Sequence, residues 1–306
     1  MERGWLEQLE AGEIVLIDGG MGTELQRRGV PMSEIAWSGA AVLSHPDVVR
    51  ETHEDYIHAG ARVIITNTFG STRQMLEPAG FGYQVGTVHR TAVALARQAR
   101  ENVGIPGVAV AGSISTEPPR FDRDAFLEPE QELAAYREAA SLLAESGADL
   151  IALEMIIETE HAARAMHAAK ETGLPVWLGA GCKKTEDCRI VSFDHPDIVF
   201  TTILDALIPL GPAVVKIMHS EISAIPEASD LVRERGAGPI GVYPEAGYFA
   251  PPNWHWNDVI SPENLVREAL GWVESGVRLL GGCCGTSPEH IRAFQAAMPE
   301  LEAARS

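Results

Sequence analysis

Eight short apolar runs recur along the chain, each followed by a turn and an amphipathic stretch, and few architectures satisfy that alternation. The runs are Val15 to Gly19, Arg62 to Thr68, Gly107 to Ser113, Asp149 to Met155, Pro175 to Gly181, Ala213 to Met218, Pro239 to Tyr243 and Val277 to Gly282. They are rich in Val, Ile, Leu and Ala, as strands covered on both faces are. Between them lie Pro46 to Ala59, Tyr83 to Asn102, Pro129 to Ser146, Thr159 to Glu171, Ile222 to Arg235 and Pro262 to Glu274, which read as helices. Several are followed by a glycine at the helix stop, as at Gly60, Gly147 and Gly276. Eight buried parallel strands alternating with helices predict a closed (β/α)8 TIM barrel. A doubly wound sheet would show fewer strands and a GxGxxG turn after the first, and Asp18-Gly-Gly-Met-Gly-Thr-Glu does not follow that pattern. No linker or charge block interrupts the chain, so residues 1–306 read as a single domain with longer loops around 115–128, 183–196 and 244–261.

Nearly every predicted strand ends in a polar or metal-binding residue: Asp18, Asn67 and Thr68, Ser113, Glu154, Cys182, His219, Glu245, then Cys283 and Cys284. In a barrel of this kind those ends converge on one mouth, where its chemistry is found. The sharpest signal among them is Gly281-Gly282-Cys283-Cys284-Gly285-Thr286. Two soft thiolates at a strand end, flanked by glycines that let backbone approach closely, suit a tetrahedral Zn2+. The four cysteines, at 182, 188, 283 and 284, do not make a disulfide framework for a chain of this size.

Charge narrows the partners. With 24 Lys plus Arg against 43 Asp plus Glu, the net charge of −19 argues against nucleic acid or an anionic membrane surface. The first ten residues hold no apolar signal core, and no apolar run approaches the roughly 20 residues of a membrane span. The expectation is a cytoplasmic protein acting on small molecules.

Four segments in register, Asp18-Gly-Gly-Met-Gly-Thr-Glu-Leu, Thr66-Asn-Thr-Phe, Ala152-Leu-Glu and Gly281-Gly-Cys-Cys-Gly-Thr-Ser-Pro-Glu-His-Ile, resemble the homocysteine S-methyltransferases over almost the whole chain. The resemblance implies a (β/α)8 barrel in which three protein cysteines bind zinc and zinc binds the substrate thiol. A methyl group then arrives from a sulfonium, betaine or folate donor. It also implies that Asp18 and Glu154 hold the α-amino group of an amino-acid thiol, and Asp18, Gly19, Asn67, Thr68, Glu154 and Glu245 are the expected substrate-binding residues. With no folate or cobalamin module in the chain, a small sulfonium such as S-methylmethionine, or a betaine, is the expected donor.

The chain departs from the family pattern at two strand ends. Where the family carries an Asn-Cys pair after the sixth strand, this chain has Met218 and His219, so the expected zinc ligands are His219, Cys283 and Cys284 with an open fourth position. Exchanging a thiolate for neutral imidazole removes one negative charge from the site. After the seventh strand, Tyr-Pro-Asn becomes Tyr243-Pro244-Glu245, a carboxylate in place of an amide, and Tyr248 stands where the family has an acid. The aromatic stretch that follows, Tyr248, Phe249, Trp254 and Trp256 with His255, reads either as a cage for an onium group or as rim packing. Cys182 is expected to line the pocket and Cys188 to be an ordinary loop thiol. His45, His53 and His58 are expected at the surface, and His161 and His167 carry no site. An altered ligand set leaves a zinc-dependent hydrolase or lyase, or a metal-free non-catalytic homologue, as the alternative readings.

Overall fold

The computed structural model describes residues 4–118, 122 and 125–305; the first three residues and part of the loop expected around 115–128 lie outside the described residues. The eight expected strands all form: β1 Val15–Leu16, β2 Val63–Ile65, β3 Ala109–Ser115, β4 Leu150–Ile156, β5 Val176–Lys184, β6 Val214–Met218, β7 Ile240–Tyr243 and β8 Val277–Leu280. Each is followed by a helix: α1 Pro46–Ala59, α2 Val85–Val103, α3 Pro129–Glu145, α4 Glu160–Lys170, α5 Phe200–Leu207, α6 Ile225–Arg233, α7 Pro262–Glu274 and α8 Pro288–Ala296. The parallel order runs β1-β8-β7-β6-β5-β4-β3-β2. A bridge between Ile17 and Val63 closes the ring, making it a (β/α)8 barrel. Several strands are shorter than their apolar runs because residues such as Gly19 and Asn67 leave the ladder to build the mouth.

Side-chain alternation explains why the runs read as continuously apolar. Val15, Ile17, Val63, Ile65, Leu150, Ala152, Val214 and Leu279 pack together inside the barrel. Leu16, Ile64, Ile151, Leu153, Val215 and Ile217 pack outward against the helices. Both faces are dry, so period-two polarity disappears. The helix Trp5–Glu10 brings Trp5 and Leu9 into the interior cluster, and Trp5 meets Trp177 edge-on with ring centres 5.0 Å apart.

Two of the expected loops carry strands of their own. Residues Ile190–Ser192 pair antiparallel with the end of β5, and Tyr248–Ala250 forms a hairpin with Asn253–His255. Cys182 packs with the core between strands and helices, where burial pushes its thiol up to about 12, and it does not line the main cavity as expected. His53 corrects the surface expectation too: α1 turns it fully inward, and neither ring nitrogen finds a hydrogen bond. His161 also has a definite place, its Nδ1 lying 2.6 Å from the buried Glu132. No helix among the described residues is long and apolar enough to cross a membrane.

Burial lowers the pKa of His53 to about 3. The unfolded chain therefore binds a proton through the window from about 6.5 down to 3 that the native state refuses, and stability falls there by about 1.4 kcal/mol per pH unit. Replacing His53 by Leu is expected to remove that slope. Chemical denaturation at pH 7 and pH 4 checks it: the wild type should lose on the order of 3 kcal/mol more than His53→Leu on acidification.

Candidate metal centre

The ends of β6, β7 and β8 are tied to one another by backbone. His219 N donates to Tyr243 O (3.2 Å), Glu245 N to Ser220 O (3.3 Å), Cys283 N to Pro244 O (2.8 Å) and Ala246 N to Cys284 O (2.8 Å). Three residues at the mouth have left-handed backbone without being glycine, Trp37 (φ 46°), His219 (φ 46°) and Met155 (φ 55°), conformations that persist only where surroundings impose them. Gly285 (φ 82°) is the position that demands glycine, because a Cβ there would overlap the Ala246 carbonyl.

This lattice brings together the three expected ligands. One donor atom each from His219, Cys283 and Cys284 falls within 4.8 Å of the others. His219 Nδ1 lies 3.6 Å from Cys283 Sγ, and the two sulfurs are 3.9 Å apart. A tetrahedral zinc site with ordinary bond lengths spaces nitrogen and sulfur about 3.6 Å apart and two sulfurs about 3.8 Å, so the residues fit the ion. Of the three donors, Cys283 is the one poised to lose its proton. The hydrogen bond from the Cys284 thiol, and then His219, draw Cys283 down to about 6 against burial. The same bond, with burial, pushes Cys284 up. Burial opposes charge on His219, but Cys283 and Glu245 outweigh it and leave the imidazole well above its ordinary value. Glu245, expected at the substrate, lies with Oε2 3.0 Å from His219 Nε2.

The donors open onto a cavity of about 660 Å3. Of the expected substrate residues, Gly19, Asn67, Glu154 and Glu245 line it, while Asp18 and Thr68 do not. Asp18 is buried with its carboxylate accepting from Ile65 N at 2.7 Å, and burial raises its pKa well above the usual range. The Thr68 hydroxyl is spent on the Ser113 carbonyl at 2.7 Å. Asn67 is held at both ends of its amide by Ser38. Glu154 is buried and accepts from Ser113 Oγ and Tyr243 Oη, each at 2.6 Å.

Sequence reasoning missed what stands behind Glu154. Lys216, on the inward face of β6 between Val214 and Met218, is fully buried, with Nζ 3.9 Å from Glu154 Oε1 and no hydrogen bond. Its ammonium sits over the rings of Tyr243 (4.2 Å) and Trp177 (4.9 Å), and burial lowers its pKa to about 8 against the pull of Glu154 and Asp18. A lysine in the middle of Val-Val-Lys-Ile-Met was the available signal. Trp37 and Phe69 were missed as cavity walls as well. The aromatic stretch divides: Tyr248, Phe249 and Trp254 line the cavity, whereas Tyr248 also stacks on His255 and Trp256 lies under Arg27.

Against known proteins, a family model described as homocysteine S-methyltransferase matches residues 15–298. The selenocysteine methyltransferase of Astragalus bisulcatus is 28% identical, the alignment covering 92% of this chain and 92% of that protein. Homocysteine S-methyltransferase YbgG of Bacillus subtilis (strain 168) is 26% identical, covering 94% of this chain and 95% of that protein. The homocysteine methyltransferase MmuM from Escherichia coli, in its metallated form, superposes with a TM-score of 0.75 at 24% identity, covering 95% of this chain and 98% of that one.

The dependence of the centre on one glycine can be tested directly. Gly285→Ala has to carry a strained backbone and displace the Ala246 carbonyl, so a loss of about 2 kcal/mol or more is expected. Denaturant midpoints measure it, and an unchanged midpoint would mean that the crossing between β7 and β8 is slack.

Proposed function

The chain belongs to the homocysteine S-methyltransferase family, and from that premise we propose that it transfers a methyl group from a small sulfonium or betaine donor to a thiol such as homocysteine, at zinc held by His219, Cys283 and Cys284. The observation that carries this reading is that a compact thiol and imidazole donor set and the hydrogen-bonded Glu154 carboxylate share one cavity wall. Zinc in this donor set supplies the acidity that keeps the acceptor sulfur a thiolate at neutral pH, where a free thiol with pKa near 8.5 is mostly protonated.

The chain's own residues do the rest. Glu154 binds the ammonium group of an amino-acid thiol, with Ser113 and Tyr243 fixing both carboxylate oxygens. Trp37, Phe69, Phe249 and Trp254 offer aromatic faces to a cationic donor and exclude water from the approach. As the sulfur lone pair forms the new S–C bond, the bond from the methyl carbon to the donor's positive sulfur or nitrogen breaks, and that atom leaves neutral. No proton moves in this step, so no general base is required of the chain. Positioning of two reactants in line is the main demand on the protein.

Elemental analysis of protein purified without chelator tests the centre. Zinc near one per chain is expected in the wild type and is expected to be lost in His219→Ala and Cys283→Ala; retention in His219→Ala would remove that residue from the ligand set. For Glu154→Gln, the loss of a charge-assisted contact of about 1.5–3 kcal/mol raises KM for an amino-acid thiol by at least about tenfold. KM for a thiol lacking the amino group should stay unchanged, and an equal rise for both acceptors would show that Glu154 serves the fold alone.

A further inference from the structure

The two departures from the family pattern at the ends of β6 and β7 touch each other. His219 stands in place of a cysteine and Glu245 in place of an amide, and Nε2 of the one lies 3.0 Å from Oε2 of the other. The remaining ring nitrogen, Nδ1, faces Cys283 Sγ at 3.6 Å. An imidazole that offers Nδ1 to a metal must carry its proton on Nε2, and a ligand histidine ordinarily gives that proton to an acceptor.

We propose that Glu245 is a positioning residue for His219 and not a substrate contact: its carboxylate accepts the Nε2–H and holds the ring with the Nδ1 lone pair toward the two thiols. The inference rests on the metal centre proposed above. Backbone makes the pair one unit, since Glu245 N bonds to Ser220 O and His219 N to Tyr243 O. Phe193 and Trp254 meet the imidazole edge-on, with ring centres 4.8 and 5.8 Å away, which narrows the planes it can adopt. Both side chains are only 14% exposed, so the contact is screened little by water. Charge points the same way. Two thiolates and a neutral imidazole carry one negative charge fewer than three thiolates, and the carboxylate makes up that difference beside the cluster. The carboxylate at 245 thus answers the imidazole at 219, two changes that each look like damage when read alone.

Co2+ alone is the probe, its affinity read by chelator competition on the thiolate-to-cobalt charge-transfer band of the full chain. Glu245→Gln, nearly isosteric, is expected to weaken Co2+ binding by about 10–100-fold. In the His219→Cys background the same change should alter affinity by less than about twofold, because no ring is left to orient. Glu245→Asp, one methylene too short to reach Nε2, should follow Glu245→Gln and serves if that variant folds poorly. Undiminished affinity in Glu245→Gln, or equal losses in the two backgrounds, would overturn the assignment. A wild-type chain with no charge-transfer band would instead overturn the metal centre, a failure distinguishable from that of the positioning role.

Discussion

The backbone crossing among the ends of β6, β7 and β8 is the constraint on which the site depends. Four hydrogen bonds between segments distant in sequence, such as Cys283 N to Pro244 O and Ala246 N to Cys284 O, fix where two cysteines and a histidine point. Without them the Gly-Gly-Cys-Cys-Gly stretch is a permissive loop, and two neighbouring thiols on such a loop have no reason to meet an imidazole from another strand. The crossing explains both the glycine at 285 and the left-handed backbone at His219. Each is a local cost accepted so that chains can pass within hydrogen-bonding distance. Trp254, hydrogen-bonded to the Ala246 carbonyl at 3.0 Å, braces the same crossing from the hairpin above it.

Beneath the mouth, the barrel interior holds Asp18, Glu154 and Lys216, all buried. A dry interior penalises each charge taken singly, and the arrangement offsets the penalty by mutual proximity, by the hydroxyls of Ser113 and Tyr243, and by two aromatic faces under the ammonium. Such a cluster contributes little to stability relative to an apolar core. It presents a carboxylate with fixed orientation on the cavity wall.

Much of this was legible in the chain itself. The eight strands appear where apolar runs predicted them, because burial on both faces forces such composition wherever a barrel wall passes. His219, Cys283 and Cys284 were legible as candidates, since few roles other than metal binding explain soft donors at converging strand ends. Their partners were less so. Lys216 reads as an unremarkable residue until the strand is known to turn it inward, and the hold of the Ile65 amide on the Asp18 carboxylate cannot be read from either segment alone. The inward rotation of His53 was hidden for the same reason: one turn of α1 decides between solvent and core, and the helical period alone did not settle the phase.

By itself, then, the sequence determined the (β/α)8 architecture and the set of donors gathered at one mouth, because burial period and strand-end chemistry are local properties that survive without coordinates. Only the tertiary structure decided which nitrogen of His219 faces the thiols, that Glu245 answers the other, and that Asp18 and Thr68 stand off the cavity while Trp37 and Phe69 form its wall. Those outcomes are set by ångström-scale distances between segments tens to hundreds of residues apart, and no pattern within a single segment encodes them.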